Sequence, residues 1–163
     1  MKKLIYTLLI IIALTNNSFA AGSSSDSDST PKASDYTKAK NLIKAAKKYE
    51  KKGKIEKAQK KYAKAQTLLI KSNEKKPLQA DTLNYLGFTT RKLGDYEKGE
   101  KYYLLGLKIE PNHKGINEYL GELYVVTKRM DLAKERLEVL KKCNCEEYDD
   151  LKEIIEGTKN SKY

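Results

Sequence analysis

The sequence has few of the residues on which enzyme active sites and metal sites are usually built. Its 163 residues include no Trp, two Cys and a single His, at position 113. A general base at His113 would need a nucleophile and an orienting acid, and no signature of such groups accompanies it. Phosphate-binding loops, dinucleotide-binding glycine patterns and zinc-ligand spacings are also missing from the sequence. We therefore predict that the protein is not an enzyme and needs no cofactor or metal, and we interpret His113 as a polar turn residue.

Proline and strand-forming patterns are scarce as well. The chain has three Pro, and no run of alternating Val, Ile and Thr stands between turn residues. Apolar residues recur instead at spacings of three and four, which is the period of an α-helix. This spacing is seen at Leu42, Ala45, Ala46 and Tyr49, and again at Leu137 and Leu140. The pattern predicts an all-α fold.

A repeat of about 34 residues organises the middle of the chain. Its clearest copy contains Leu86, Gly87, Gly94, Gly99, Tyr103, Gly106 and Pro111. The next copy lies at an offset of 34 (120 minus 86) and contains Leu120, Gly121, Tyr124, Ala133, Leu137 and Leu140. A degenerate copy precedes both at an offset of 41 (99 minus 58) and contains Gly53, Ala58, Tyr62 and Ala65. The difference between the two offsets is about two helical turns, which predicts a longer helix to about Glu74, ended by Pro77.

These residues resemble the tetratricopeptide-repeat family. The resemblance implies an α-solenoid of about three helix-turn-helix repeats, which we place at about 39–76, 80–113 and 114–142 within a domain spanning 35–157. A helix at 146–157 would cap the array, because stacked repeats need an end with one polar face, and 158–163 would form a tail. Gly99 and Gly106 stand where the family usually has Ala, and we interpret them as sites of close helix contact.

The resemblance also implies a groove, because in this family the first helix of each pair lines the concave face. We predict that the groove residues are Asn84, Tyr85, Phe88, Arg91, Lys92, Glu118, Tyr119 and Glu122. Three of them are aromatic and would act as anchors for a protein or peptide partner, with the alternative that these rings close gaps between helices. The amide of Asn84 would hold the backbone of the partner.

The N-terminus has the layout of a secretory signal peptide. Two Lys precede an apolar run at 4–14, and Ser18-Phe19-Ala20 offers small residues to a signal peptidase. We predict cleavage after Ala20, export to the bacterial periplasm and no stable membrane anchor afterwards; the alternative is an uncleaved anchor, for which the run is short. Residues 21–34 are rich in Ser and Asp and predict a disordered linker, with the first helix beginning at Ser34 or Asp35.

The chain is strongly basic, with a net charge of +11. The excess lies in the first repeat, which contains Lys38, Lys40, Lys44, Lys47, Lys48, Lys51, Lys52, Lys54, Lys57, Lys60, Lys61 and Lys64. These lysines indicate either an anionic partner, such as an envelope surface or an acidic protein, or a solvated face. Nucleic acid is disfavoured, because Arg occurs only at positions 91, 129 and 136 and no nucleic-acid-binding motif is present.

Cys143 and Cys145 stand between the last repeat and the capping helix. Outside the cytoplasm we expect them to oxidise, which favours a local disulfide. A redox-active pair and reduced thiols or soft-metal ligands are the alternatives, although two thiolates alone make a poor closed zinc site. Together these patterns predict an exported adaptor that binds a protein segment. The alternatives are a thiol-disulfide or metal-handling role through Cys143 and Cys145, and docking to an anionic envelope surface through the first repeat.

Overall fold

The structure is a computed structural model that describes residues 33–161, and within that range all regular structure is helical. The predicted signal peptide and nearly all of the predicted linker lie outside the described residues. The helices are α1 (Asp35–Glu50), α2 (Ile55–Lys75), α3 (Ala80–Lys92), α4 (Tyr96–Ile109), α5 (Lys114–Val126), α6 (Met130–Leu140) and α7 (Glu146–Ile155). The extended second helix is confirmed, since α2 ends at Lys75, immediately before the Pro77 turn.

The first six helices form three hairpins, each closed by a short turn. Helices α1 and α2, α3 and α4, and α5 and α6 pack together within hairpins, while α2 contacts α3 and α4 contacts α5 between them. The first helices of the hairpins also contact one another, α1 with α3 and α3 with α5, and α7 packs on both α5 and α6. This succession of hairpins, each touching its neighbours, is an all-α solenoid with a capping helix.

Local residue choices explain where the helices begin and turn. The side chains of Ser34 and Asp95 accept hydrogen bonds from the backbone N–H groups of Thr37 and Lys98, as N-cap residues do. The hairpin turns need one residue of positive φ, and Gly53 (66°) and Gly94 (98°) supply it in the first two hairpins. In the third hairpin the same position is held by Lys128, at φ 60°.

Glycines, which have no side chain, allow neighbouring helices to approach each other closely. A Cβ at Gly106 would lie 2.4 Å from Cδ1 of Ile116 in the next hairpin, and a Cβ at Gly99 would lie 3.1 Å from Cβ of Arg91. Close helix contact at both glycines is therefore confirmed. At Gly121 a Cβ would lie 2.5 Å from Cδ2 of Leu151, so α7 approaches the last hairpin as closely as the hairpins approach each other.

The core runs through all hairpins without a break. One cluster contains Ala39, Ile43, Tyr62 and Leu69 from the first hairpin together with Leu83, Leu86 and Phe88 of α3. A second cluster contains Tyr103, Ile116, Leu120 and Leu123, and the half-buried Tyr119 packs against both. Helix α7 ends the array by burying Leu151 and Ile154. None of the helices within 33–161 combines the length and apolar character that crossing a bilayer requires.

Candidate functional site

The surface formed by α1, α3, α5 and α7, called here the inner face, carries the predicted groove residues. Its floor is closed by side chains that fill the space between these helices. Phe88 is buried between Tyr62 and Tyr119, with ring centroids 5.7 and 5.1 Å away, respectively. The prediction that Phe88 is an exposed anchor is wrong, because this ring forms part of the core between the first two hairpins, as the gap-closing alternative holds.

Arg91 and Glu122 are also buried, and the prediction that they face a partner in the groove is wrong for both. Arg91 Nη1 donates a hydrogen bond to the backbone carbonyl of Tyr119 at 3.0 Å. Its Nη2 lies 3.8 Å from Oε2 of Glu122, and neither side chain has exposed surface. The guanidinium also lies 5.7 Å from the ring centroids of both Phe88 and Tyr119. The pair therefore joins α3 to α5 from within.

Burial dominates the electrostatics of this pair. It lowers the pKa of Arg91 from its ordinary value, while nearby Tyr103 and Glu122 raise it. An arginine starts from a pKa above 12 and stays protonated in proteins, so the site holds a buried cation against a buried carboxylate. Such pairs are costly to break on one side, because the remaining charge would be left in the interior.

Two lysines extend the floor toward α1. Lys47 Nζ donates to the Tyr119 hydroxyl at 3.3 Å and lies 4.6 Å from the Phe88 ring centroid. Lys92 Nζ lies 2.8 Å from Oε1 of Glu50, and the side chain of Lys92 is almost completely buried. The predicted groove residue Lys92 therefore joins α3 to α1 and does not point into open space.

The remaining predicted residues line open space. A cleft of about 420 Å³ between α3 and α5 is lined by Asp81, Asn84, Tyr85, Glu110, Asn112, His113, Lys114, Gly115, Glu118, Tyr119 and Glu147. Tyr85 and Tyr119 are half-buried there and keep one part of each ring accessible. Glu118 is buried in this wall, with 4% of its surface exposed. We call this space the central cleft.

Asn84 is the most informative residue of the central cleft. It is 94% buried, because its exposed fraction is 6%, and its Oδ1 atom has no hydrogen-bond partner among the described residues. Gly115 faces it across the cleft, and a Cβ there would lie 2.8 Å from Asn84 Nδ2. A buried amide atom without a partner is uncommon in proteins.

His113 lines the central cleft. Its Nδ1 accepts a hydrogen bond from the N–H of Ile116 at 3.1 Å and so caps α5. Since Nδ1 accepts, the proton of the neutral ring resides on Nε2, which lies 3.2 Å from Oδ1 of Asp81. His113 thus has a structural role at a helix start, in line with its interpretation as a polar turn residue.

Two further clefts on the inner face differ sharply in charge. The first, of about 590 Å³, runs along α1 and is lined by Lys40, Asn41, Ile43, Lys44, Lys47, Lys48, Lys51 and Tyr85. The second, of about 200 Å³, lies between α5 and α7 and is lined by Glu118, Tyr119, Glu146, Glu147 and Asp150. We call them the basic cleft and the acidic cleft. The central cleft lies between them, since it shares Tyr85 with the one and Glu118, Tyr119 and Glu147 with the other.

Sequence reasoning missed the contribution of α7. Its first turn carries Glu146, Glu147 and Asp149, and two of these line the acidic cleft. The signal was present as a run of acids at a helix start, but such a run is also what the helix dipole favours at any exposed N-terminus. Only the packing of α7 on α5 turns it into part of the inner face.

The two cysteines precede α7. Cys143 and Cys145 form a disulfide with their Cα atoms 5.3 Å apart, and Cys145 is the N-cap residue of the helix. Among residues 33–161, no group of three or more His, Cys, Asp and Glu is placed to hold a metal ion. The disulfide fixes the point at which the chain leaves the last repeat and enters α7.

Comparison with known proteins returns structural likeness alone. No protein-family model matches the chain, and no curated protein matches it. Among solved structures, the first tetratricopeptide domain of Spaghetti (RPAP3), bound to the HSP90 peptide SRMEEVD, is 20% identical with a TM-score of 0.48, and covers 77% of this chain and 96% of that one. The first tetratricopeptide domain of human RPAP3, solved by NMR, is 20% identical with a TM-score of 0.47, over 77% of this chain and 98% of that one.

The fold is assigned from the packing of the helices in this chain. Paired helices recur at the spacing of the sequence repeat, small residues stand where the helices touch, and a seventh helix covers the last hairpin. The part of the chain that the structure describes is therefore an all-α solenoid of three helical hairpins with a capping helix, as the resemblance to tetratricopeptide repeats predicts.

Proposed function

We propose that this protein is a binding module that holds an extended segment of a protein partner in the central cleft. The observation that carries this proposal is Asn84, a residue in the wall of an open cleft, whose buried amide oxygen has no partner among the described residues. A peptide backbone offers N–H and C=O groups at regular spacing, and one side-chain amide can pair with both.

The two half-buried tyrosines support the same function. Tyr85 and Tyr119 flank the central cleft and present ring surface together with a hydroxyl group. Burial raises the pKa of Tyr85 above its ordinary value, so that its hydroxyl stays protonated and able to donate at neutral pH. Tyrosines of this kind contribute large contact area at small entropic cost and are frequent among the residues that dominate binding energy.

The experiment compares Asn84 with a second buried asparagine whose hydrogen bonds are complete. Asn117 Nδ2 donates to the carbonyl groups of Pro111 and His113 at 3.0 and 3.1 Å. Peptides would be selected from a displayed library of short random sequences on the wild-type protein. We expect Asn84→Ala to weaken their binding about tenfold or more while leaving the unfolding free energy near that of the wild type. Asn117→Ala should lower stability, because it leaves the Pro111 carbonyl without its side-chain donor, although the His113 carbonyl keeps the backbone N–H of residue 117.

A second pair of variants distinguishes an aromatic ring that lines the cleft from one that belongs to the core. Tyr85→Ala should weaken peptide binding and leave the fold intact, whereas Phe88→Ala should lower the unfolding free energy by about 3–5 kcal/mol because its ring is in the core. Peptides whose binding is unchanged by both Asn84→Ala and Tyr85→Ala would show that the central cleft is not the binding site.

A second function is favoured by a cleft on the first hairpin. Tyr49, Lys57, Lys60, Lys61 and Lys64 line a space of about 270 Å³ that no acidic residue lines. We propose docking of this cleft to an anionic surface. Binding to vesicles containing anionic lipid should fall in the Lys60→Glu, Lys64→Glu double variant and with rising salt. The Lys108→Glu, Lys142→Glu double variant makes the same charge change outside the first hairpin and should bind vesicles as the wild type does. If both double variants lose the same affinity, the effect comes from net charge and not from this cleft.

We propose export as well, with cleavage after Ala20, in a segment outside the described residues. The support is the sequence pattern of a charged start, an apolar run and small residues at 18 and 20. The intact mass of the protein recovered from the envelope of an expressing bacterium should correspond to a chain beginning at Ala21. A full-length product in the membrane fraction would contradict this proposal.

A further inference from the structure

The charges of the inner face are sorted by position. The basic cleft is lined by five Lys and no acid, while the acidic cleft is lined by four carboxylates and no cationic residue. Four of these lysines, Lys40, Lys44, Lys48 and Lys51, are exposed. The two clefts stand at opposite ends of the central cleft, so charge changes sign along the path that a bound segment would follow.

Part of this charge is already compensated within the protein, and the exposed side chains among it are accessible to a partner. Asp150 is paired with Lys159, and Lys47 contacts the rings of Phe88 and Tyr119. The central cleft itself is mainly acidic, since Asp81, Glu110, Glu118 and Glu147 line it and Lys114 is the one lysine among its lining residues. Glu146 is exposed and Glu147 half-exposed, so they present negative charge at the α7 end.

We propose that the segment bound in the central cleft is dipolar, with an acidic stretch over α1 and a basic stretch over α5 and α7. This inference rests on the proposed function and adds the charge order of the partner. Neighbouring helices pack about 8–10 Å apart, so α1 and α5, two helix spacings apart, are separated by about 20 Å. An extended chain covers that distance in about six residues. The partner would therefore change sign of charge within about six residues, around a centre that contacts Tyr85 and Tyr119.

Charge complementarity selects this partner over segments of one charge. A wholly acidic segment would be attracted to the basic cleft and repelled by Glu146 and Glu147. A wholly basic segment would be attracted to these two carboxylates and repelled by the lysines of the basic cleft. Such rim charges act mainly through association rate and choice of partner, so their effect should weaken with salt.

The test uses synthetic peptides and the purified full chain. One peptide has about three acidic residues, a short centre with a tyrosine, and about three basic residues. A second has the same composition with the charges alternating. We expect the first to bind about tenfold more tightly at low salt, with the difference shrinking as salt rises. Equal affinity of the two peptides would overturn the charge order while leaving the proposed function standing.

Charge reversal on the protein tests the positions directly. Lys44→Glu and Glu147→Lys should each weaken the sorted peptide several-fold, whereas Lys108→Glu and Glu74→Lys, exposed residues outside the three clefts, should not. In the Lys44→Glu, Glu147→Lys double variant neither cleft changes the sign of its net charge, so the losses of the two single variants should add. A photo-crosslinker at the acidic end of the peptide should attach to α1. Attachment to α5 or α7 would overturn the inference.

Two other outcomes separate this inference from the proposed function. If peptides of either charge pattern bind only weakly and Asn84→Ala has no effect on them, the proposed function fails and the inference fails with it. If the purified chain instead self-associates in sedimentation experiments, and Lys44→Glu and Glu147→Lys each abolish this, the occupant is a second copy in which basic and acidic clefts meet. That result would overturn the proposal of a peptide partner.

Discussion

Gly87 of α3 lies against the ring of Tyr103 in α4, so closely that a Cβ at residue 87 would come within 2.5 Å of the ring atom Cε1. Tyr103 is fully buried. The contact holds the two helices of the second hairpin at a separation that only glycine permits. In the third hairpin Gly121 makes a contact of the same kind with Leu151, which belongs to α7.

The first prediction concerns this contact. Gly87→Ala should lower the unfolding free energy by about 1–3 kcal/mol through overpacking, although alanine is the better helix former by about 1 kcal/mol. Urea denaturation of the single variant measures the loss. Tyr103→Leu shortens the opposing side chain, so the double variant should lose less than the two single losses added together. Simple additivity would show that the ring is not what residue 87 meets.

The second prediction concerns the turn of the third hairpin. Lys128 has a φ of 60° at the position where the first two hairpins have Gly53 and Gly94. A residue with a Cβ is strained in this region by about 1–2 kcal/mol, so Lys128→Gly should raise the unfolding free energy by about 1 kcal/mol. The reciprocal variant Gly94→Ala should lower it. A neutral or destabilising Lys128→Gly would mean that the lysine side chain contributes more than the strain costs.

The repeat made most of this architecture predictable from sequence. The offset of 41 between Ala58 and Gly99 located the long α2, and the glycines marked the close helix contacts, because both follow from helix geometry alone. Burial on the inner face was not predictable in the same way. Phe88, Arg91 and Glu122 occupy groove positions by register, yet their exposure depends on how far neighbouring hairpins are rotated and on which long side chains fill the space between them.

Part of the candidate site follows from the sequence pattern, and part of it does not. Asn84, Tyr85 and Tyr119 do line an open cleft, but no sequence pattern indicates that Asn84 Oδ1 is buried without a partner among the described residues. The acidic cleft depends on α7, whose docking is directed by the small residue Gly121 and the apolar Leu151. Such a contact between distant segments leaves no periodic pattern in a single sequence.

The third prediction concerns alkaline pH. Burial raises the pKa of Tyr103, and burial with the hydrogen bond to Glu50 raises that of Tyr62. In the unfolded chain tyrosine titrates near 10, so above about pH 10 the unfolded state loses protons that the native state keeps. Stability from these residues is therefore complete below about pH 10 and falls as pH rises beyond it, by up to about 1.4 kcal/mol per pH unit for each tyrosine.

The contribution of Tyr103 to this fall in stability with pH can be measured separately. Urea denaturation between about pH 9 and pH 11 should show a shallower decline in the Tyr103→Phe variant than in the wild type. Lysines titrate in the same range, but they are present in both proteins and cancel in the comparison. Identical slopes in the two proteins would contradict the assignment.

The fourth prediction concerns the start of α5. His113→Ala should lower the unfolding free energy by about 1 kcal/mol, because Nδ1 of His113 accepts the N–H of Ile116 and alanine offers no acceptor. His113→Asn keeps a side-chain acceptor and should retain most of the stability. Asp81→Asn tests the other ring nitrogen and should have a small effect, since Asp81 is largely exposed. Equal losses in the alanine and asparagine variants would show that the cap does not stabilise the helix.

The last prediction concerns Cys143 and Cys145, for which a structural role and a redox role give different results. A structural disulfide implies a monomer with no free thiol until a reductant is added, as thiol titration and a non-reducing gel would show. Because the closed loop is very short, the Cys143→Ser, Cys145→Ser double variant should lose at most about 1.6 kcal/mol by the chain-entropy estimate, about half the value for a 15-residue loop. A redox pair would instead leave each single Cys→Ser variant with a thiol able to attack a partner disulfide, so that a mixed disulfide accumulates in the envelope fraction. We expect no mixed disulfide with either single variant, because the disulfide serves to fix the entry into α7. Capture of a mixed disulfide with one variant and not the other would identify the attacking cysteine and contradict the structural role.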